Sequence, residues 1–476
     1  MPKRSARTPV VGIGGLGYMG LATGLGFAHR GVRVLGYELR TDVRTALRQS
    51  RTPIFEPGLP ELLRQERRSG RFDLVDSWEE LVERSDIIYL CLPTPAGPDG
   101  RIDLGPLRTG TRALATALAR GRKYRLVVVK STVVPGTTEG VVRPLLEEVS
   151  GRTRTTLGVA TNPEFLAEGT MVRDATSPDR IVIGTSSRKD ERLLRRIYAL
   201  FPSQLVVLSP TEAELTKYSS NAFLALKVTF ANEVSRLAER VGASIDPVMG
   251  AVGLDPRVGP RFLSAGPGFG GSCFEKDVLA FATSSRSRGV RMRLIEALVP
   301  SNEDQTDHAF DRIRQAAGPL RGRTVALLGL AFKAGTDDVR ESRALALATA
   351  IRRAGGRLRL HDPVAAEKFR ALWKPPGGVL SRGVRYCRTP IDALRGADVA
   401  VLQVAWSDYL RWPPAWTGVM RRPVVVDLRR ALPPAVRERA HMEWHGLGVS
   451  ETPRRRSGGR MRADAPNGGK RRRGSR

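Results

Sequence analysis

The chain has 476 residues, a net charge of +30 and a hydrophobic fraction of 41%. That length predicts two to four domains with cores that need no disulfide or metal staple, which excludes wholesale disorder, fibrous repeats and membrane bundles. Three cysteines scattered over the whole length form no disulfide framework and predict a reducing, cytoplasmic setting. The basic excess fits either capture of nucleic acid and anionic ligands or a genome that writes arginine freely. With 67 arginines against 11 lysines, most of it follows the second reading. The same skew makes the lysines informative, because a buried lysine can lose its proton and an arginine cannot. Lys130, Lys217, Lys227, Lys276 and Lys333 fall inside motif-like stretches.

In chain order, residues 9–28 are uncharged after a basic start, as in a signal peptide or membrane helix, but seven glycines argue against both. Residues 10–13 instead predict a strand, then a glycine loop, a helix through Ala28, and a second strand at 32–37 ending at Glu38. Further strands are predicted at 86–92, 126–129 and 181–183, with helices between, so an open and mostly parallel sheet is expected. Residues 211–241 carry helical spacing and no strand signal, as one long helix or two broken ones between domains. A second βαβ pattern follows, with strands at 324–329 and 357–361 around a helix at 342–354, and later strands at 398–404 and 424–426. The fold class is therefore α/β, with an N-terminal Rossmann domain (1–205), a central long-helix domain (206–312) and a C-terminal Rossmann-like domain (313–450). Residues 451–476 have ten basic and two acidic residues and no apolar periodicity, and are expected to be a disordered basic tail that binds polyanions weakly.

The glycine loop fits G-x-G-x-x-G in two registers, and Gly15, Gly17, Gly20 leaves a full strand before it and Glu38 at the expected distance after it. Glycines there let a backbone approach a pyrophosphate at a helix N-terminus. Glu38 would accept from both hydroxyls of an adenine ribose, which favours NAD over NADP, with Arg40 as the opposing influence. Cys273, in a glycine-rich loop before a helix start, has Lys276 and Asp277 one turn on; a cation and a helix N-terminus both lower a thiol pKa. Cys91 reads as strand filler, and Cys387 has no supporting partners. Lys217 and Asn221 share a helix face, and Glu164 and Glu168 lie four apart, in a pattern that suits acid–base work or a capped helix start. No metal site is expected.

In combination these motifs carry a resemblance. GLGYMGL (15–21), FEPGL (55–59), KSTVVPGTT (130–138), NPEFLAEG (162–169), PDRIVIG (178–184), the Lys217–Asn221 helix, GFGGSCFEKD (268–277) and GLAFKAGTDDVRES (329–342) occur in one order. In that order and over about 10–450, the chain resembles the UDP-glucose/GDP-mannose dehydrogenase family. The resemblance implies that Cys273 is the nucleophile, with Lys217, Asn221, Asp277, Glu164 and Thr132 around the sugar C6. It implies NAD contacts from Gly15, Leu16, Gly17, Tyr18, Met19, Gly20, Glu38, Thr94, Ser131, Thr132, Glu168, Cys273, Lys276 and Arg340. Nucleotide-sugar contacts would come from Glu164, Phe165, Leu166, Lys217, Asn221, the 264–270 loop with Phe269 and Gly270, and from Phe274, Phe332 and Lys333. Arg257 would reach a diphosphate, in some members from a neighbouring subunit, and Arg429 follows an altered D-G-R in which Leu428 replaces glycine. Gly169 and Ser272-Cys273-Phe274 resemble the UDP-glucose branch, with GDP-mannose and UDP-N-acetylmannosamine as alternatives, and the central helices are expected to form a homodimer. A one-step hydroxyacid dehydrogenase has no use for Cys273, and a nucleic-acid binder leaves the motifs unexplained.

Overall fold

A computed structural model describes residues 7–97, 99–375 and 383–450; the basic tail lies outside the described residues. The first sheet contains β1 (Val11–Gly14), β2 (Val34–Tyr37), β3 (Phe72–Leu74), β4 (Ile87–Leu90), β5 (Arg125–Val129), β6 (Leu157–Thr161), β7 (Arg180–Gly184) and β8 (Gln204–Leu208). Its order is β3-β2-β1-β4-β5-β6-β7-β8. All its neighbours pair in parallel except β6 and β7, which touch antiparallel at Thr161 and Gly184. The central strands β1, β4 and β5 are buried on both faces, which is why they are predominantly apolar. Ile87 and Tyr89 enter one core with Leu126 and Val128, and Ile88 and Leu90 enter the other with Val127 and Val129.

The second sheet contains β9 (Thr324–Leu328), β10 (Arg357–His361), β11 (Val384–Tyr386), β12 (Val399–Leu402), β13 (Val424–Asp427) and β14 (Glu443–Gly446). It is parallel in the order β11-β10-β9-β12-β13-β14. In each sheet the order reverses beside the first strand, and the crevice beyond the strand ends at such a point is where ligands of doubly wound folds bind. The glycine loop follows β1, and residues 329–342 follow β9, so the two crevices carry the two motif sets.

Between the sheets runs a single helix, Pro210–Arg240, of 31 residues. Ser209 and Glu212 form a reciprocal cap at its start, with Pro210 in the first turn where no N–H is needed. Its near end is fastened to the first domain by buried Glu214, which accepts from Gly136 N at 2.6 Å and Thr138 N at 2.8 Å. Its far end is fastened to the second sheet's domain by Glu239, which accepts from Gly448 N and also meets His308 of the helix Arg293–Ala317 at 2.9 Å. The helices Phe274–Arg286 and Arg293–Ala317 pack on it.

Candidate active site

The glycine loop takes the second of its two registers. Gly12 and Gly14 lie within β1, and the helix Tyr18–His29 begins after Gly17. Gly15 has φ +94°, and a Cβ on Gly20 would stand 1.8 Å from Gly15 O, so the loop can close only on glycine. A Cβ on Gly17 would meet nothing within 4 Å, leaving an open cradle at the helix N-terminus that fits a dinucleotide pyrophosphate. Glu38, just past β2, holds the loop by accepting from Leu16 N at 2.8 Å. Arg40 turns its guanidinium to Asp42 at 2.5 Å, while its backbone N–H donates to Glu38 Oε1 at 3.1 Å. Thr94 donates to Thr132 O at 2.9 Å, and Ser131 donates to Leu92 O at 2.7 Å, bracing the wall above β4 and β5.

Cys273 caps the helix Phe274–Arg286. Around it the fold assembles residues from three segments. Lys217 Nζ lies 2.9 Å from Glu164 Oε1 and donates to Asn221 Oδ1 at 3.4 Å. Asn221 donates to Asp277 Oδ2 at 2.6 Å, and Lys276 meets Asp277 Oδ1 at 2.6 Å. Leu166 N donates to Glu164 Oε2 at 2.7 Å, fixing that carboxylate. Lys217, Asn221, Asp277 and Glu164 are all buried, so each charge is met by an opposite one, as burial requires. Burial alone would lower Lys217; Glu164, then Asp277 and Cys273, outweigh it and hold the ammonium above its ordinary value.

The thiol departs from the sequence expectation. Crowding by protein, then Glu164 and Asp277, push Cys273 up to about 11 against the pull of Lys217 and the Ser272 hydroxyl. Lys276, expected to activate it, is spent on Asp277. Cys273 is nonetheless the exposed cysteine of the three, whereas Cys387 is buried. Cys91 lies just beyond β4 rather than inside it, beneath the glycine loop, where a Cβ on Gly15 would meet its carbonyl at 2.5 Å.

The second domain supplies the opposite wall. Glu168 accepts from Thr336 Oγ1 at 2.8 Å and lies 3.9 Å from Arg340, which is bound to Asp338 at 2.6 Å. Burial, then Asp338, push Glu168 up to about 7. Burial lowers Lys333 against the attraction of Glu168 and Glu56. A Cβ on Gly270 would stand 2.2 Å from Glu341 O, and one on Gly271 would stand 2.8 Å from the Phe332 ring, so the substrate loop fits its partner only as glycine. Phe269 and Phe274 meet edge to face at 5.9 Å. The Phe165 ring lies 5.5 Å from Lys217 Nζ and 4.0 Å from the Arg180 guanidinium.

Two further expected contacts stand apart from the Cys273 cluster, Arg257 on the surface and Arg429 against the 264–270 loop. Arg257 is held by its neighbour Asp255 at 2.6 Å and is 88% exposed, outside this chain's cluster. Arg429 donates to Gln403 O at 2.9 Å and packs against the backbone of Gly266, where a Cβ would stand 2.7 Å from Nη1. Burial, then Arg430, lower it to about 10. Three supporting residues were given no role by the sequence reading. Asn302 clamps both backbone atoms of Phe269, at 2.7 and 3.0 Å. Glu56, inside a quoted motif, accepts from Gly169 N at 2.7 Å and Met171 N at 2.8 Å. Lys130, also inside a motif, donates to Asn162 Oδ1 at 2.8 Å and is lowered by burial to about 8. Among the described residues no group of three or more His, Cys, Asp or Glu could hold a metal ion, and no helix is long and apolar enough to cross a membrane.

Known proteins are similar to this chain over nearly its full length. The family model for the NAD binding domain of the UDP-glucose/GDP-mannose dehydrogenase family matches residues 10–202, that for its central domain 211–304, and that for its UDP binding domain 326–434. The UDP-glucose 6-dehydrogenase of Haloferax volcanii is 39% identical, over 87% of this chain and 95% of its own length. That of Pseudomonas aeruginosa is 37% identical, over 91% and 96%. A solved UDP-glucose dehydrogenase of Pyrobaculum islandicum is 40% identical with a TM-score of 0.86, covering 94% of this chain and all of that one. With the models of all three domains matched in order along it, the chain belongs to the UDP-glucose/GDP-mannose dehydrogenase family.

Proposed function

We propose that the protein is an NAD-dependent UDP-glucose 6-dehydrogenase that oxidises the sugar C6 alcohol to the uronic acid in two steps. The substrate reading is supported by the UDP-glucose dehydrogenases that resemble it at 37–40% identity. The observation that carries the mechanism is the Cys273 helix start opening onto Lys217, Asn221, Asp277 and Glu164. When bound, NAD accepts one electron pair, with a hydrogen, in each oxidation. Asn221 and the charged Lys217 face the C6 oxygen and stabilise the negative charge that develops there. At the aldehyde stage the Cys273 Sγ–C6 bond forms and the thiol proton passes to the C6 oxygen, giving a thiohemiacetal. The second oxidation leaves a thioester. Water adds at C6 under Asp277, with Glu164 and Thr132 as further polar partners; the C–S bond breaks, and the thiol recovers a proton.

The remaining assignments belong to the same reading. We take the domains as 1–205, 206–312 and 313–450, with the cofactor along Gly15–Gly20, Glu38, Thr94, Ser131, Glu168, Lys276 and Arg340. The nucleotide sugar lies along Phe165, Leu166, Phe269, Gly270, Phe274, Phe332 and Lys333, with Arg257 serving a neighbouring subunit. Phe223, Phe230 and Leu237 recur every seven residues on the long helix at 59%, 48% and 61% exposure, a stripe suited to a second copy of the chain. A reducing cytoplasm suits three unpaired cysteines. The deciding measurement is stoichiometry: two NAD reduced per UDP-glucose consumed and no free aldehyde. One NAD per sugar refutes the two-step reading, and faster turnover of GDP-mannose or UDP-N-acetylmannosamine refutes the substrate.

A further inference from the structure

One cluster on the seam between the outer domains is used by none of these steps. Tyr18, the first residue of the helix after the glycine loop, donates its hydroxyl to Asp337 Oδ1 at 3.0 Å, from 319 residues away. Lys368, on the helix Ala366–Leu372, stands 2.7 Å from Asp337 Oδ2. It also donates to the Tyr18 hydroxyl at 3.4 Å. The three groups close a triangle in which the hydroxyl gives one hydrogen bond and receives one. Asp337 is 12% exposed and Lys368 45%, so the triangle is sheltered on one side and wet on the other. Burial, then Asp337, keep the phenol protonated far above its ordinary range, as a donor must be.

Its location gives it a role. Tyr18 opens the helix whose N-terminus faces the pyrophosphate cradle, and Asp337 belongs to the segment that delivers Phe332, Lys333 and Arg340 to the cleft. A carboxylate facing a pyrophosphate cradle repels the ligand unless it is neutralised, and Lys368 neutralises it. In a chain with 67 arginines, this position holds one of 11 lysines, a compact charge that can serve two oxygens at once.

We propose that Lys368 and Asp337 are positioning residues for the oxidation. With the Tyr18 hydroxyl they clasp the C-terminal domain onto the glycine loop, so that a uridine diphosphate in one half of the cleft and the dinucleotide in the other reinforce each other's binding. The inference rests on the reading of the cleft given above. A ligand that touches both walls binds only the fraction of molecules in which the walls meet, and the resulting coupling is reciprocal. The clasp stands at the dinucleotide end rather than at Cys273, so its release frees spent cofactor between the two oxidations while the sugar stays bonded to sulfur.

The test is NADH binding to the full-length protein, read by NADH fluorescence with and without saturating UDP. The parent is expected to bind NADH more tightly in UDP. In Lys368→Met and in Asp337→Asn that tightening should vanish, and KM for NAD should rise about 3- to 10-fold, as expected for loss of a half-exposed ion pair with a charge-assisted hydrogen bond. The loss should fall on KM rather than kcat, and Lys368→Arg should recover part of it, outcomes that a merely structural role does not produce. Parent-like NADH affinity and parent-like UDP dependence in both variants overturn the clasp. A parent that binds both ligands without mutual tightening overturns the clasp alone; one that binds neither overturns the cleft reading with it.

Discussion

Cys273 sits among carboxylates, and this sets its titration. With the thiol up at about 11, its alkylation by iodoacetamide should accelerate about tenfold per pH unit from pH 7 to 10, with no plateau in that window. Glu164→Gln removes a negative neighbour, so the thiolate is easier to form and alkylation at pH 8 should speed up even as turnover falls. A plateau near pH 8 in the parent contradicts the arrangement. Cys273→Ser should lose steady turnover by several orders of magnitude, toward the ~10⁶ seen for other nucleophiles, while still binding NADH. The five polar residues of the cluster were legible as motif members. Their electrostatics were not, because Lys276 is an expected activator only until the fold shows Asp277 holding it at 2.6 Å. Glu164 likewise acts on Cys273 from 109 positions earlier in the chain. Glu38, which holds the glycine loop through Leu16 N, makes a further expectation: Glu38→Ala should raise the NAD requirement and spare turnover at saturation, as seen in initial rates.

At the level of elements, the βαβ units were readable because each joins apolar strand runs buried on both faces through a helix bounded by glycines or caps, the first of these helices buried throughout Gly20–Ala28. The short strands β3, β11 and β14 were not, since three or four residues of mixed polarity carry no usable period. The choice between one central helix and two was open on spacing. It is settled by packing and by the Ser209–Glu212 cap, with no break through Arg240. Two substitutions probe these elements. Gly20→Ala must displace the Gly15 carbonyl and should abolish NADH binding while leaving UDP binding measurable by calorimetry. Glu214→Ala strands the N–H groups of Gly136 and Thr138 and should cost about 1–3 kcal/mol of stability in urea unfolding.

For the whole molecule, the stripe of Phe223, Phe230 and Leu237 makes assembly testable apart from chemistry. Phe230→Glu places a charge in the middle of the stripe and should convert a dimer to monomers in sedimentation velocity, and an unchanged sedimentation coefficient would place the interface elsewhere. Deleting 451–476, which carries ten basic and two acidic residues, should leave turnover within about twofold and weaken retention on heparin.

The long helix, anchored to one outer domain through Glu214 and to the other through Glu239, behaves as an axle with a bearing at each end. At 1.5 Å per residue its 31 residues span about 46 Å. An axle seated in both bearings does not change length, so the outer domains can turn about it or flex it but cannot slide along it. Lys217 and Asn221 project from the axle itself, so any such turn sweeps groups far from the axis through a wider arc than those beside these two side chains. Phase along the axle matters as well. One extra residue inserted near Leu226 would rotate the second bearing by about 100° relative to the first. Glu239 would then face away from Gly448 and His308, while Lys217 and Asn221, ahead of the insertion, kept their phase on the helix.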